Sequence, residues 1–330
     1  MEIFEIITFV LGFLILIITF FDFFHTTLSG NGFWYISGTL NQILSKIILS
    51  YKNRRFFDYS GLIHLLLTTL CWLVLLILGT YLIFLSDEEM VVNAQTKLPA
   101  DLLERFYYTC YLLSTLGIGD FTPGHNFSRI LSSVLSFSGF ILLTTALTYL
   151  LSVVNSVLSK KKLAMGISTL GTDVWELYEY FGSNNGHSLK DKSNDLRDAI
   201  LKNSSNFLAF PIISHFMTRK RSRSTEVQLA ALYEVLVVLK NEYPKGSTQY
   251  SEIKAVINAV ESYLVLGLDS ADDFEHDAEK LQEMRWFWAG RGKKYENDPW
   301  KDKIINSTLK GSGWSWEEVY KAKGSEGENQ

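Results

Sequence analysis

A short glycine-containing loop lies between two long apolar segments, and this placement restricts the chain more than any other feature. The loop reads Ser-Thr-Leu-Gly-Ile-Gly-Asp over residues 114–120, between apolar stretches at 62–85 and 130–158. Stretches of this length can span the hydrocarbon core of a membrane. Non-helical backbone at membrane depth is tolerated only where protein buries it or where it lines a water-filled path. The layout therefore predicts a loop that lines a pore; the alternative is a structural turn in a membrane protein of another kind.

The spacing of the two glycines indicates what such a loop does. Successive carbonyl groups can face one axis only if alternate residues leave ordinary β or right-handed geometry, and glycine does so without a steric cost. Gly117 and Gly119 have that spacing, Thr115 adds a hydroxyl at the inner end, and Leu116 and Ile118 turn their side chains away from the axis. Carbonyl groups arranged in this way replace the hydration shell of an ion. Residues 115–119 are thus a predicted ion filter.

The residues around the loop carry a family resemblance. Residues 107–120, Tyr-Tyr-Thr-Cys-Tyr-Leu-Leu-Ser-Thr-Leu-Gly-Ile-Gly-Asp, resemble the pore helix and filter of tetrameric potassium channels. The resemblance covers about 60–160, the two-helix pore module. It implies a potassium channel in which K⁺ ions in the filter are the only bound group. Their ligands are then backbone carbonyls, those of Thr115, Leu116, Gly117 and Ile118.

The same resemblance assigns supporting residues and also shows departures. Tyr108 takes the place of a family tryptophan that hydrogen-bonds the aspartate corresponding to Asp120, and its hydroxyl can make the same bond. Tyr111 occupies a position that holds a glutamate in some members. Ile118 replaces the usual aromatic residue of the filter. These departures leave two hypotheses open, a potassium-selective channel and a non-selective cation channel.

The inner helix of the predicted pore contains small and polar residues. Gly139 lies where family members often carry a glycine at which the helix bends, although small residues also allow close helix packing. Threonine and serine side chains then form one stripe along the helix, which suits a water-lined cavity below the filter or hydrogen bonding between helices. The stripe consists of Thr144, Thr145, Thr148 and Ser152.

The distribution of apolar residues predicts an all-α membrane protein with a large helical cytoplasmic domain. A first apolar stretch at 6–21 lacks the basic leading region and small-residue cleavage site of a signal peptide, and we interpret it as a retained transmembrane helix. The predicted domains are an N-terminal transmembrane helix (1–28), an interfacial amphipathic helix with a cytoplasmic linker (29–58), the pore domain (59–160) and the α-helical cytoplasmic domain (161–330).

Charged residues beside the apolar stretches predict the topology. Lysine and arginine are enriched in cytoplasmic loops, and they precede the second span and follow the third. The segment 86–104 is acidic apart from Lys97, which places it outside, with the filter opening outward and the N-terminus outside. The cytoplasmic residues are Lys46, Lys52, Arg54, Arg55 and Lys160 to Lys162, and the acidic ones are Asp87, Glu88, Glu89, Asp101 and Glu104.

The segment between the first and second spans predicts a helix on the membrane surface. Residues 33–51 have apolar side chains available for one face, with Trp34 and Tyr35 as interfacial anchors. Just before it, Asp22 and His25 lie at i and i+3 near the end of the first span. They are either proton- or ligand-sensing groups or residues that hydrogen-bond locally at the membrane edge.

The soluble part from 161 onward shows helical periodicity and nearly balanced charge. Apolar residues follow helical spacing at 174–181 and 253–264, residues 226–240 are apolar enough for a buried helix, and Ser315 with Glu318 fits a capping box. The charge balance gives no nucleic-acid footprint, and no glycine-rich nucleotide-binding loop is evident. The basic run from Arg219 to Arg223 either contacts anionic lipid or a partner or lies in a solvated loop.

These features together predict a homotetrameric ion channel in lipid and not an enzyme, because one chain carries one pore loop and a closed filter needs four. No span has basic residues at every third position, so no voltage-sensor helix is predicted. Gating then depends on the cytoplasmic domain, the filter, membrane tension or lipid, with an unidentified ligand or protein at the cytoplasmic domain. A further alternative is a receptor or scaffold whose function lies in residues 161–330.

Overall fold

The computed structural model describes residues 3–30, 32–50, 56–182, 187–267 and 278–321, with the side chains of 187–191 and 278–279 outside that description. Of the residues that predict the topology, Lys52, Arg54 and Arg55 lie outside the described residues. Twelve α-helices and one short antiparallel strand pair make up the described part. The prediction of an all-α membrane protein is confirmed.

Three of the helices are long and apolar enough to cross a membrane, as the apolar stretches predicted. They are α1 (Ile3–Leu28), α3 (Phe57–Leu85) and α5 (Asn126–Ser168). Helix α5 has 43 residues. At 1.5 Å per residue it is about 65 Å long, roughly twice the hydrocarbon thickness of a bilayer. Its carboxyl-terminal part therefore extends beyond a membrane that its apolar part spans.

The chain forms two compact units, and three helices contribute residues to both. The first unit comprises residues 1–41 and 65–152, and the second comprises 42–64 and 153–330. The division falls within α3, within α5 and within α2 (Tyr35–Ser50).

In the first unit, helices α1 and α3 cross at a pair of glycines. A Cβ added to Gly12 would lie 2.6 Å from the carbonyl oxygen of Gly79, and one added to Gly79 would lie 3.0 Å from the carbonyl oxygen of Gly12. Real Cβ atoms do not approach backbone as closely as 2.6 Å, so the crossing needs glycine at Gly12, whereas a Cβ at Gly79 would be tightly packed. Small residues serve this purpose at helix contacts in membranes.

The core of the first unit combines aliphatic and aromatic side chains and includes residues of the short helix α4 (Leu102–Leu113), the predicted pore helix. Phe23 of α1 meets the Trp72 ring edge-on at 5.0 Å, and Phe84 of α3 meets Tyr108 of α4 at 5.1 Å. Strands β1 (Val91–Asn93) and β2 (Phe121–Pro123) pair antiparallel before and after α4. This pairing closes the loop in which α4 and the filter lie.

Helix α2 lies within the segment 33–51 that was predicted to be helical, and some of its polar side chains are buried. Ser37 and Asn41 are buried, and the Asn41 side-chain amide donates to Thr68 Oγ1 at 3.0 Å. Ile43 and Ile47 on the same helix are about half exposed, at 52% and 51%. Gln42 and Lys46 are exposed as well, and Ile48 is buried, so the helix does not divide into one apolar and one polar side.

The second unit contains a bundle of helices whose predicted patterns are confirmed. The apolar residues at 174–181 lie buried on α6, those at 253–264 lie buried on α9, and α8 is buried almost along its full length. Ser315 and Glu318 form the predicted capping box. The helices are α6 (Val174–Gly182), α7 (His187–Ala209), α8 (Thr225–Glu242), α9 (Thr248–Leu266), α10 (Ala278–Ala289), α11 (Pro299–Gly311) and α12 (Trp316–Tyr320).

A buried guanidinium joins three helices of this bundle and the loop between α10 and α11. Arg285 of α10 donates to Glu234 of α8 at 2.7 Å and to Asp302 of α11 at 2.6 Å, and its Nη2 also lies 2.9 Å from the Tyr295 hydroxyl. Burial alone would lower the pKa of Arg285, but the two carboxylates raise it above its ordinary value. A charge buried this deeply is stable only with such partners.

The basic run from 219 to 223 does not form a uniformly solvated loop. Arg221 is 9% exposed, and its guanidinium donates to the carbonyl oxygens of Thr172 and Lys321 at 2.8 Å and of Val319 at 3.0 Å. Arg219 pairs with Asp58 at 3.0 Å. Neither residue was assigned a structural role from the sequence, because the residues they contact lie far away along the chain.

Candidate ion-conducting site

Helix α4, the predicted pore helix, begins at a reciprocal cap and ends at the predicted filter. The Glu104 amide donates to Asp101 Oδ1 and the Asp101 amide donates to Glu104 Oε2, both at 2.8 Å. The helix then runs to Leu113, with Ser114 as its carboxyl-terminal cap, directly before the filter loop. The carboxyl end of a helix carries a partial negative charge, which favours a cation nearby.

One arginine fixes the start of the pore helix to the end of α3. The Arg105 side chain is 7% exposed and donates to four backbone carbonyls at 2.9–3.2 Å, those of Phe84, Asp87, Glu88 and Ala100. Helix ends leave carbonyl groups without partners, and this guanidinium supplies donors to those at the end of α3. This role was not predicted from the sequence; the available signal was that Arg105 is the one arginine or lysine between Lys97 and Arg129.

The filter loop has an alternating backbone. Thr115, Gly117 and Gly119 have positive φ angles of 57°, 59° and 86°. Between them, Leu116 and Ile118 have ordinary φ values. The left-handed region costs a residue with a Cβ roughly 1–2 kcal/mol, so Thr115 is strained. Strain of this kind persists only where the surrounding structure imposes it, and it is frequent at functional sites.

Backbone hydrogen bonds attach the loop to the end of α4. The amide of Thr115 donates to the Leu112 carbonyl and the amide of Leu116 donates to the Tyr111 carbonyl, both at 3.0 Å. Leu116 and Ile118 project their side chains outward, with 67% and 50% of their surface exposed on the single chain. The loop is thus held at its base, while two apolar side chains are uncovered by the chain's own atoms.

The three predicted supporting residues lie beside the loop, with a different distribution of hydrogen bonds. The Tyr111 hydroxyl donates to the Phe121 carbonyl at 2.6 Å, just past the filter. The Tyr108 hydroxyl, expected at Asp120, donates instead to Ser132 Oγ of α5 at 2.8 Å. Asp120 accepts from the amide of Phe121 at 3.0 Å, and the hydroxyl that interacts with its carboxylate is that of Tyr107.

Gly139 lies where the inner helix α5 passes the end of the pore helix. A Cβ added there would lie 2.4 Å from the carbonyl oxygen of Leu113, the last residue of α4. Gly139 was interpreted either as a point where the helix bends or as a site of close helix packing. The geometry shows the close packing. The helical hydrogen bonding of α5 continues through this position.

The predicted polar stripe lies on an exposed side of α5. The Thr148 hydroxyl donates to the Thr144 carbonyl at 3.0 Å, and the Ser152 hydroxyl donates to the Thr148 carbonyl at 2.9 Å. Thr144 itself donates to Phe140 and Ile141 carbonyls at 3.0 Å. Because the hydroxyl protons are used within the helix, the oxygen lone pairs of Thr144 and Thr148 face outward from it.

Asp22 hydrogen-bonds within the protein, to partners that lie 14–50 residues away along the chain. Its Oδ1 accepts from the amides of Ile36 and Ser37 at 3.0 and 3.2 Å, and its Oδ2 accepts from Trp72 Nε1 at 2.6 Å. Asp22 therefore caps the amino end of α2 from within α1. The ring of His25 stacks on Phe21 at 6.2 Å.

Comparison with known proteins agrees with this geometry. Residues 70–156 match the model of a family described as "Ion channel". Over 266 residues the chain is 27% identical to "Uncharacterized membrane protein YdjJ" of Bacillus subtilis (strain 168), an alignment that covers 77% of this chain and 76% of that protein. No solved structure matches. The resemblance to pore-loop ion channels predicted from residues 107–120 is therefore confirmed, and the match to the ion-channel family extends over residues 70–156.

Proposed function

We propose that this chain is one subunit of a homotetrameric, potassium-selective channel of the cell membrane. K⁺ passes through a filter built by residues 115–119 of four copies. The observation that carries the proposal is the alternation of positive φ at Thr115, Gly117 and Gly119 with ordinary φ at Leu116 and Ile118. A backbone of this kind can present successive carbonyl groups to one axis, where they take the place of water around an ion.

Exposed apolar side chains on and beside the filter loop support an assembly of four copies. Leu116 and Ile118 are apolar and exposed on one chain, as are Phe137 and Phe140 on the neighbouring face of α5. An open cavity of about 630 Å³ lies between these elements and is lined by Thr115, Ser132, Ser136 and Phe137 among others. Packing of a neighbouring subunit against this face covers the apolar side chains and completes the ring of carbonyl groups.

The remaining site residues have supporting roles in this proposal. The carbonyl groups of Thr115 to Ile118 coordinate K⁺, and Asp120 with Tyr108 and Tyr111 supports the filter loop from behind. Below the filter, the outward oxygen atoms of Thr144 and Thr148 line a water-filled cavity. Gly139 serves first as the contact with α4, and bending at this contact is the route by which the inner helix opens.

The charges support a fixed orientation in the membrane. Lys46 and the run from Lys160 to Lys162 belong on the cytoplasmic side, as does the second unit. The acidic segment 86–104 and the N-terminus belong outside. With this orientation the filter opens outward, and carboxylates near its mouth raise the local cation concentration.

A non-selective cation channel is the second candidate, and the observation that favours it is Ile118. A tyrosine in this place supplies a ring and a hydroxyl, and a phenylalanine supplies a ring, whereas an isoleucine supplies neither. In this chain the Tyr111 hydroxyl, which donates to the Phe121 carbonyl, supports the loop in place of such an aromatic residue.

The test is the reversal potential of the purified protein in planar bilayers under opposed K⁺ and Na⁺ gradients. We expect reversal near the K⁺ equilibrium potential. A reversal near zero with measurable current selects the non-selective channel, and absence of current from a tetramer under every condition contradicts the proposal.

Two glycine variants make this test specific. Gly117 and Gly292 have φ angles of 59° and 67°, and a Cβ added to either meets no atom within 4 Å. The two substitutions to alanine therefore impose similar local strain. We expect Gly117→Ala to lose selective current and Gly292→Ala to conduct like the wild type.

A further inference from the structure

A small cavity whose wall carries several hydroxyl groups lies within the second unit. Its volume is about 50 Å³. A cavity needs roughly 10–15 Å³ to hold one water molecule, so this one has room for a dehydrated ion with a water beside it. Hydroxyl groups form much of its wall, together with the carboxylate of Glu226 and the imidazole of His215.

Helix carboxyl ends converge on this cavity. Gly267 caps the end of α9, and Gly311 with Ser312 forms the end of α11; all three line the cavity. His215, at the end of the 3₁₀ turn Pro211–His215, lines it as well. The carboxyl ends of the α-helices α9 and α11 each carry a partial negative charge. The wall therefore favours a positive guest.

The hydroxyl groups are oriented to accept rather than donate. Thr308 donates its proton to the Ile304 carbonyl at 3.0 Å, Ser312 to the Leu309 carbonyl at 2.9 Å and Ser214 to the Pro211 carbonyl at 2.7 Å. Their oxygen lone pairs are then left for a ligand in the cavity. Tyr263 is 2% exposed, and its hydroxyl makes no hydrogen bond with the residues that the structure describes. Burial, followed by Glu226, raises the pKa of Tyr263 well above its ordinary value, so this hydroxyl is neutral.

The charged groups around the cavity leave no excess of positive charge. Glu226 Oε1 pairs with Lys160 Nζ at 2.8 Å, and Ser224 donates to its other carboxylate oxygen at 3.2 Å. His215 bonds Ser45 through Nδ1 at 3.0 Å. Burial, His64 and Lys160 hold the pKa of His215 well below its ordinary value, so its ring is neutral at pH 7.

We infer that this cavity binds a dehydrated monovalent cation through the oxygen atoms of Thr308, Ser312, Tyr263 and Glu226. A divalent cation such as Ca²⁺ prefers several carboxylates, whereas here a single carboxylate, already shared with Lys160, stands among neutral hydroxyl groups. Monovalent ions suit neutral oxygen ligands and helix carboxyl ends.

The site has a direct connection to α5. Lys160 belongs to that helix, and a cation in the cavity shares Glu226 with it. Occupancy therefore weakens the ion pair between α5 and α8. As a means of regulating conduction, this step rests on the proposed function, whereas cation binding itself does not.

The first test uses rubidium as the probe, in crystals of the full chain grown with RbCl. We expect anomalous density in the cavity as well as in the filter. Density in the filter alone overturns the cavity site and leaves the proposed channel intact. Density in the cavity alone supports the cavity site and contradicts the proposed filter.

The second test compares two threonine variants in solution. Thr308→Val removes a cavity oxygen, and Thr169→Val removes an exposed hydroxyl that likewise donates to its own helix, at the Gly166 carbonyl. Thermal unfolding of each is measured against RbCl concentration, with N-methylglucamine chloride as the balancing salt. Loss of one ligand should weaken the rubidium dependence of Thr308→Val about tenfold relative to Thr169→Val. Equal dependence in the two variants overturns the inference.

Discussion

At the scale of single residues, the site depends on tyrosine hydroxyls that reach backbone or side-chain oxygens across the pore loop. Tyr111 bonds the Phe121 carbonyl, and Tyr108 bonds Ser132 of α5. These bonds join the pore helix to the chain after the filter and to the inner helix. Because they are buried, each hydroxyl that is removed leaves an oxygen without its partner.

The first prediction concerns Tyr111. Tyr111→Phe removes the donor to the Phe121 carbonyl and leaves this buried oxygen unsatisfied, at a cost of about 1–3 kcal/mol. We expect faster loss of current during sustained activation and weaker K⁺ over Na⁺ selectivity in bilayer recordings. Tyr81→Phe is the matched control, since its hydroxyl also donates to a backbone carbonyl, that of Leu102 at 3.2 Å, but in an exposed place. Equal currents from the two variants would argue against a role of Tyr111 in the filter.

At the scale of elements, close contacts between helices fix the pore loop and the first helix. Gly139 gives α5 its contact with the end of α4, and Gly12 with Gly79 gives α1 its contact with α3. In each case a methyl group would meet a backbone oxygen, which cannot move out of the way as a flexible side chain can.

Gly139→Ala separates the packing role from a purely hinge-like role. The new methyl group would lie 2.4 Å from the Leu113 carbonyl and displace the end of the pore helix. We expect a lower unfolding temperature of the purified protein together with reduced current. A variant with unchanged thermal stability and reduced current would instead identify Gly139 as a hinge alone.

Gly12→Ala tests the crossing of α1 and α3. Overpacking at such a contact typically costs 1–3 kcal/mol, so we expect a lower unfolding temperature in detergent. Gly166→Ala is the control, because Gly166 is also helical but a Cβ there meets no atom within 4 Å. That substitution should be neutral or slightly stabilising, since alanine favours a helix. Equal unfolding temperatures of the two variants would show that the crossing of α1 and α3 does not contribute to stability.

Features with a local pattern in the sequence were predictable, and features made by distant residues were not. The spans, the pore helix, α8 and the capping box at Ser315 follow from apolar periodicity and short-range capping. The contacts of Arg105 and the cap that Asp22 gives to α2 join residues that are 5–21 and 14–15 positions apart, with no repeating spacing to reveal them. In the filter, glycine spacing predicted positive φ at Gly117 and Gly119, but the strained φ of Thr115 was not foreseen.

At the scale of the whole molecule, the proposal requires an assembly of four chains. Native mass spectrometry of the protein released from detergent should give four times the chain mass of 37.7 kDa. Four copies are needed because the carbonyl groups of one loop lie on one side of the pore axis only. A stable monomer or dimer in lipid nanodiscs would rule out the channel architecture.

A histidine of the second unit makes the stability of the native fold depend on pH. The native fold holds His215 neutral with a pKa well below 6.5, whereas the unfolded chain has the ordinary value of 6.5. The unfolded chain therefore binds more protons, and the native fold loses stability as the pH falls below about 6.5. We expect the unfolding temperature of the wild type to drop between pH 7 and pH 5. His215→Gln should flatten this dependence, and an unchanged slope would assign it to other groups.

The cap that Asp22 provides has a consequence for how the protein enters the membrane. Trp72, which donates to this carboxylate, is 50 residues further along the chain. When α1 first leaves the ribosome, the Asp22 side chain has neither Trp72 nor the amino end of α2 as a partner, and a buried polar group without a partner is costly. Stable insertion of α1 therefore waits for synthesis of α3, so the two helices are integrated as a pair rather than one after the other.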